Sequence, residues 1–461
     1  MKGVFVVGAG PAGIFASRQL ALAGYEVSLF NRDIKPGGLA EYGIYPLKEK
    51  MKAGLRKQFA QVLEMPNVHY FGHVQVGAAY DLPIDELEAM HPAAIVFACG
   101  AQGTRKLGLP GEDAKGVYAA KDFVYHYNQL PPYAAMDFST GRRIAIVGVG
   151  NVAIDIARWL LEDSPDRQAE NVLVIARRGP LEIKFDEKEI EFVERHMSRD
   201  ELTGELLRVS QRCARCNQDV SPERIFERHF LHLRNADFAT IPPRLSFRFL
   251  SSPTAILPDA NGRIAALEVA ENNLILKDGG GTAAVPTPER VAIAVDTLIF
   301  AIGDRHDAKI GLPMGPEGYA TEPKPERPRE PHFEIWNPET RRTMPGHYVV
   351  GWARQASTGL VGIARHDAEV GAAKAIEFVR NAPECDTLAA PEILAWLEGD
   401  GLRPITKTDL ALLARAEERE AQVRHLASFK FSDNGTMYKA IAAERARMFA
   451  PRVEECRLSA V

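Results

Sequence analysis

Residues 3–33 and 142–178 read as the same piece of backbone, and no other feature restricts the fold as tightly. "GVFVVGAGPAGIFASRQLALAGYEVSLFNRD" gives an apolar strand, a glycine-rich turn, a helix and a second strand. "RRIAIVGVGNVAIDIARWLLE", followed by "VLVIARR", repeats the pattern. Val4 to Val7 are apolar on both faces, as in a buried parallel strand. The turns are Gly8-Ala9-Gly10-Pro11-Ala12-Gly13 and Gly148-Val149-Gly150-Asn151-Val152-Ala153. Glycine permits the tight turn and lets backbone approach a pyrophosphate, while the helix N-terminus offers free N–H groups and a positive dipole end. The plain alternative is a pair of glycine turns that bind nothing. Full strand–turn–helix context around both motifs argues for two dinucleotide sites.

The two units differ at the end of the second strand, where the adenosine ribose is normally met. The second unit carries Arg177 and Arg178 there. Adjacent guanidiniums grip a 2′-phosphate dianion through charge-assisted, forked hydrogen bonds, which points to NADP rather than NAD. A solvated pair of surface arginines is the alternative. The first unit carries Asn31, where an acid usually binds the ribose diol.

At 461 residues the chain is too long for one ordinary core. A net charge of −5 argues against a general nucleic-acid binder. No apolar run approaches a membrane span. A strand beginning almost at the first residue leaves no room for a leader, and five cysteines are few, so a cytoplasmic protein is expected. "AIVFACGAQ" (94–102), "VDTLIFAIGD" (295–304) and "HYVVGWARQASTGLVG" (347–362) read as further strands ending in glycine turns. Residues 244–302 read as a smaller strand layer, 322–332 as a proline-rich linker, and the last 60 or so as polar helix. Cys213-Ala-Arg-Cys216 lacks a second pair to complete a zinc site and lacks strand-to-helix context for a redox motif, so incidental cysteines are expected. The histidines suggest no metal. Glu182 and Lys184 read as solvated charges. Lys48, Lys50, Lys52, Arg56 and Lys57 form a run of cations that reads either as a solvated helix face or as a docking patch for an acidic carrier.

"GGLAEYGIYP", "FACGAQGTRKLGLPGED", "GVGNVAIDIAR", "ARRGPLEIKF", "FRFLSSP" and "GWARQASTGLVGIARHDA" together resemble the adrenodoxin-reductase type of ferredoxin–NADP reductase, over about residues 1 to 425. The resemblance implies an α/β fold of two Rossmann-like domains, the NADP domain (107–304) inserted into a discontinuous FAD domain (1–106 and 305–461). It implies FAD near Gly8, Gly10, Ala12, Gly13, Asn31, Gly38, Leu39, Val76, Gly351, Trp352, Gly359, Leu360 and Val361. It implies NADP at Gly148, Val149, Gly150, Asn151, Val152, Arg177, Arg178, Glu189 and Gly359. The implied reaction is hydride transfer from NADPH to flavin N5, then release of single electrons to an acidic ferredoxin or flavodoxin-like carrier. No catalytic side chain and no metal ligand are required.

Three positions depart from the family. Asn31 replaces a ribose-binding Glu. Lys48 stands where a His is usual. Glu191 stands where animal relatives place an Arg that meets their ferredoxin. The tail "FKFSDNGTMYKAIAAERARMF" matches no part of the family pattern. Two other readings remain: the NADPH-oxidising subunit of a larger iron–sulfur complex, as in glutamate synthase small subunits, and a flavin- or nucleotide-binding protein without turnover.

Overall fold

β1 (Gly3–Val7) is buried along its whole length. The computed structural model containing it describes residues 2–233, 243–316, 318–323, 331–356 and 361–449. β1 leads into α1 (Pro11–Leu22), where Pro11 occupies the first turn and its missing N–H is no loss. β2 (Glu26–Asn31) returns parallel to β1, Gly3 beside Glu26 through Val7 beside Phe30. Then come α2 (Leu39–Tyr42), α3 (Glu49–Leu63), β3 (Val68–Gly72), α4 (Ile84–Ala89) and β4 (Ala94–Phe97). β1 lies between β2 and β4, which explains its unbroken apolar run. Val4 and Val6 face one core with Ile14 and Leu20, and Phe5 and Val7 face another with Phe30, Phe71 and Phe97. Each such side chain contributes roughly 1.5–3 kcal/mol on burial.

After β5 (Gly103–Thr104) the chain builds β6 (Val117–Ala119), α5 (Ala120–Tyr127), β7 (Arg143–Val147), α6 (Asn151–Arg158) and β8 (Asn171–Ile175). α7 (Glu187–Ile190), α8 (Arg199–Ala214), α9 (Pro222–His229) and β9 (Arg244–Arg248) follow. β10 (Ser251–Pro258), β11 (Ile264–Leu276) and β12 (Thr282–Ala294) form an antiparallel sheet, and β13 (Thr297–Phe300) ends this part. The five-stranded sheet has the order β6-β13-β7-β8-β9, and every pairing in it is parallel. The expected small strand layer over 244–302 is therefore only β10 to β12. β9 and β13 join the parallel sheet instead. β9 lies at its edge, where one buried face is enough, so its alternating pattern resembled that of its antiparallel neighbours.

The remainder is β14 (Asp304–Arg305), β15 (Glu334–Asn337), β16 (Arg342–Val349), α10 (Val361–Asn381), α11 (Ala390–Gly399), α12 (Lys407–Val423) and α13 (Asn434–Phe449). β16 and β15 extend the first sheet to the order β15-β16-β4-β1-β2-β3, in which only β15 runs antiparallel to its neighbour. Much of the expected linker, 324–330, lies outside the described residues. The chain divides into two compact units: Met1–Gly103, Tyr125–Ala135 and Asp304–Val461 form one, Thr104–Val124 and Met136–Gly303 the other. Both contain a parallel sheet with helices, the α/β class expected.

Candidate functional site: two nucleotide cradles

The first glycine-rich turn is locked from three sides. Gly8 has φ +105°, and a methyl on it would stand 2.6 Å from the Ala98 carbonyl oxygen. A methyl on Gly13 would stand 1.7 Å from the Gly8 carbonyl oxygen, so α1 packs directly on the turn. From the loop after β2, the Gly37 N–H donates to Ala9 O at 2.7 Å, and Gly38 presses against Gly10. From the turn after β16, Gly351 (φ +63°) leaves no room for a methyl beside Ala12. Its N–H donates to Asp367 Oδ2 at 2.6 Å, and Arg354 pairs with the same carboxylate. Gly10 itself faces open space, with no atom within 4 Å of where a Cβ would stand. No acid occupies the first turn of α1. This is a cradle with free N–H groups and no competing negative charge, the arrangement a pyrophosphate needs.

Asn31 sits at the end of β2 as expected, but its amide is committed inside the protein. Its Oδ1 accepts from the Ala9 N–H at 3.0 Å. Its Nδ2 donates to Asp33 O (2.7 Å), Lys35 O (3.1 Å) and Tyr70 Oη (3.0 Å). The side chain is buried and ties the glycine turn to the loop after β2.

The second turn repeats the first. Gly148 has φ +127°, and a methyl on it would stand 2.2 Å from the Ala301 carbonyl oxygen. Gly150 faces open space like Gly10, and α6 has no acid in its first turn. Val152 is exposed on that turn. Lys184 N–H donates to Val149 O (3.0 Å), and Asn151 exchanges two hydrogen bonds of 2.8 Å with Asp186. The Glu189 N–H bonds Asp186 O, so this anchor also brings Glu189 beside the turn.

Arg177 and Arg178 follow β8. Their carbonyls are held by Asn272 Nδ2 (2.8 Å) and the Leu250 N–H (3.1 Å). Arg177 is exposed and Arg178 half-buried, and among the described residues neither guanidinium has an acidic partner. Two free guanidiniums on a backbone fixed by β11 and by the start of β10 make a preorganised anion site.

The other expected contacts scatter more widely. Trp352 lies half-buried in the 3-10 turn after β16, next to Gly351. Leu39 opens α2. Val76 belongs to the core on the sheet face of Phe5, whereas Ala12 and Val361 pack on the opposite face. Gly359 and Leu360 lie outside the described residues. Asp367, Asp186 and Asn272 each fix a site loop and were not singled out in the sequence. Their only signal is a partner far along the chain.

Three surface readings change. Lys52 is buried, and its amino group donates to Asn128 Oδ1 at 2.7 Å. Burial, aided by the charge of Lys430, pushes it down to about 8. Arg56 is tied to Glu41 and Glu49. Of the expected cationic run, Lys50, Arg56 and Lys57 are exposed on α3, and with Arg56 already paired, Lys50 and Lys57 remain beside exposed Leu47 and Met51. Glu182 is no solvated charge: its Oε1 accepts from Gln218 (2.6 Å) and Thr282 (2.5 Å). Cys213 and Cys216 are free and buried, and burial pushes the Cys213 thiol up to about 12. Such a thiol is a poor nucleophile. Among the described residues, no group of three or more His, Cys, Asp or Glu is placed to hold a metal ion, and no helix is long and apolar enough to cross a membrane.

Residues 2–221 match the family described as pyridine nucleotide-disulphide oxidoreductase. NADPH-ferredoxin reductase FprA of Mycobacterium leprae is 29% identical over 399 residues, 79% of this chain and 81% of that protein. Mitochondrial NADPH:adrenodoxin oxidoreductase of Salvelinus fontinalis is 29% identical over 477 residues, 95% of this chain and 91% of that one. The chain is similar to these reductases along most of its length. A solved structure of Mycobacterium tuberculosis FprA in complex with NADPH matches with a TM-score of 0.77 at 25% identity, over 96% of this chain and 99% of that one. The α/β fold described above is thus similar to that of a known reductase.

Proposed function

We propose that this protein is an FAD-dependent NADPH–ferredoxin reductase that passes electrons from NADPH to a one-electron iron–sulfur carrier. The unpaired Arg177–Arg178 pair at the end of β8, beside a glycine turn built like the one at Gly8, carries this reading. The homologous reductases give it its chemistry. FAD, when bound, accepts a hydride and yields electrons singly.

The residues around it bind and align. The discontinuous domain, 1–106 and 305–461, holds FAD through Gly8, Gly10, Ala12, Gly13, Gly38, Leu39, Val76, Gly351, Trp352, Gly359, Leu360 and Val361. Asn31 supports this cradle by holding the Ala9 N–H rather than by reading the ribose. The inserted domain, 107–304, holds NADP through Gly148 to Val152, Glu189 and the two arginines. Asp367 fixes the turn that presents Trp352. The carrier is an acidic ferredoxin or flavodoxin-like protein in the cytoplasm. Exposed Lys50 and Lys57 around Leu47 and Met51 offer it complementary charge with an apolar centre.

Anaerobic mixing of the yellow holoprotein with NADPH, followed by addition of an oxidised ferredoxin, tests the whole proposal. Rapid bleaching of the flavin and its return on adding ferredoxin are expected. A flavin that stays oxidised would leave only a binding protein. Bleaching without reoxidation would remove ferredoxin as the acceptor class.

A further inference from the structure

The C-terminal stretch after α12 converges on the loops that the flavin reading assigns to FAD. Lys430 is largely buried and its ammonium pairs with Glu41 of α2, whose carboxylate is itself buried. The same ammonium lies 4.7 Å from the centre of the Tyr42 ring. Arg56 of α3 completes the group, donating from Nε to Glu41 Oε2 (2.7 Å) and from Nη2 to Oε1 (3.0 Å). Burial alone would raise the Glu41 carboxyl, but the hydrogen bonds of Arg56 and the charge of Lys430 outweigh it and hold it at about 2.

Two more ties run alongside. Glu417 of α12 pairs with Lys35 (2.6 Å) and accepts from the Phe431 N–H (3.1 Å), joining the loop after β2 to the tail. His73, just beyond β3, meets Tyr438 Oη at 2.8 Å and Asn434 Nδ2 at 3.2 Å. Met437 and Ile441 bury themselves in the core beneath.

α2 has only four residues, too few to hold itself in water. Its place is set from outside, and it begins directly after Gly38, which presses on the glycine turn.

We propose that the C-terminal segment is a positioning element for the flavin site, in which Lys430 holds Glu41 and thereby fixes Gly38 and Leu39 against the dinucleotide. Lys430 acts through α2 and need not touch the cofactor. The proposal rests on the reading of the first cradle as the FAD site.

The test uses the holoprotein with Lys430→Met, Lys430→Arg and Glu41→Gln. Methionine keeps the length and the apolar packing on Tyr42 and removes only the charge. FAD retention is measured by the rise of flavin fluorescence on dilution, with 2′,5′-ADP binding as the control for the second cradle. Lys430→Met should weaken FAD binding by about tenfold or more, the factor that corresponds to 1.4 kcal/mol. Glu41→Gln should do the same, and the double variant should lose little beyond either single one, because both act on one pair. Lys430→Arg should restore most of the affinity. Unchanged 2′,5′-ADP binding is expected throughout.

FAD held by Lys430→Met as tightly as by the wild type would overturn the proposal. So would joint loss of FAD and 2′,5′-ADP binding that arginine does not rescue, since that would mark general unfolding. Wild-type protein that takes up no FAD would instead overturn the flavin reading, and the proposal would fall with it.

Discussion

Gly8 and Gly148 hold the same post in two different sheets. Each has positive φ, +105° and +127°, and each sits against the carbonyl of an alanine that follows a neighbouring strand, Ala98 or Ala301. Gly10 and Gly150 both face open space two residues on. The backbone device is one and the same, so it cannot say which nucleotide enters. The ends of β2 and β8 can. Asn31 spends every side-chain polar atom on partners within the protein, whereas Arg177 and Arg178 have only their carbonyls held and leave both guanidiniums free. On the proposed reading, the glycine turn supplies generic affinity for a pyrophosphate, and the side chains at the second strand's end set the choice of nucleotide.

The comparison breaks most violently at the glycines. Gly8→Ala and Gly148→Ala should each cost on the order of 3 kcal/mol in strain and clash, because the obstacle is backbone. Gly8→Ala protein should purify with little flavin absorbance. Gly148→Ala protein should stay yellow but lose NADPH-driven flavin reduction by more than about a hundredfold. Loss of flavin from both variants would mean that the two cradles do not divide the cofactors as proposed.

A gentler test leaves both turns intact and removes the choice. Charge-assisted hydrogen bonds contribute roughly 1.5–3 kcal/mol each, so Arg177→Ala with Arg178→Ala should raise the KM for NADPH at least about tenfold. The KM for NADH should barely move. Steady-state reduction of ferricyanide with both coenzymes reads this directly, and equal losses would show that the pair does not read the phosphate.

Smaller effects belong to groups outside both turns. Lys50→Glu with Lys57→Glu should slow reduction of an acidic ferredoxin about fivefold at low salt and much less at high salt. Ferricyanide reduction should hardly change. A carrier rate that ignores both substitutions and salt would place docking elsewhere. Cys213→Ser with Cys216→Ser should leave reductase activity unchanged, because both thiols are buried and burial raises that of Cys213. A large loss with FAD still bound would restore a redox role.

Much of this architecture was legible in the sequence because it is local. The strand, the turn and the helix of each unit lie within one short stretch, and a buried parallel strand announces itself by an unbroken apolar run such as Val4 to Val7. What stayed hidden depends on partners far away. Nothing in "LFNRD" says that Asn31 will meet Tyr70, and nothing in "EKMKAG" says that Lys52 will turn inward to Asn128. Lys52 and Lys50 carry the same charge two residues apart, yet one faces the core side of α3 and the other faces water. β9 joins the parallel sheet rather than its antiparallel neighbours for the same reason, since local alternation does not reveal which strand will lie alongside.

The proposed NADP specificity requires that the second cradle read a 2′-phosphate. Calorimetric titration of the holoprotein with 2′,5′-ADP and with 5′-AMP isolates that claim, because the ligands differ only in that phosphate and neither carries a nicotinamide. Two free guanidiniums predict that 2′,5′-ADP binds at least about a hundredfold tighter than 5′-AMP. They also predict that Arg177→Ala with Arg178→Ala brings the two affinities together. Equal affinities in the wild-type protein would contradict the claim, and with it the assignment of NADP to the inserted unit.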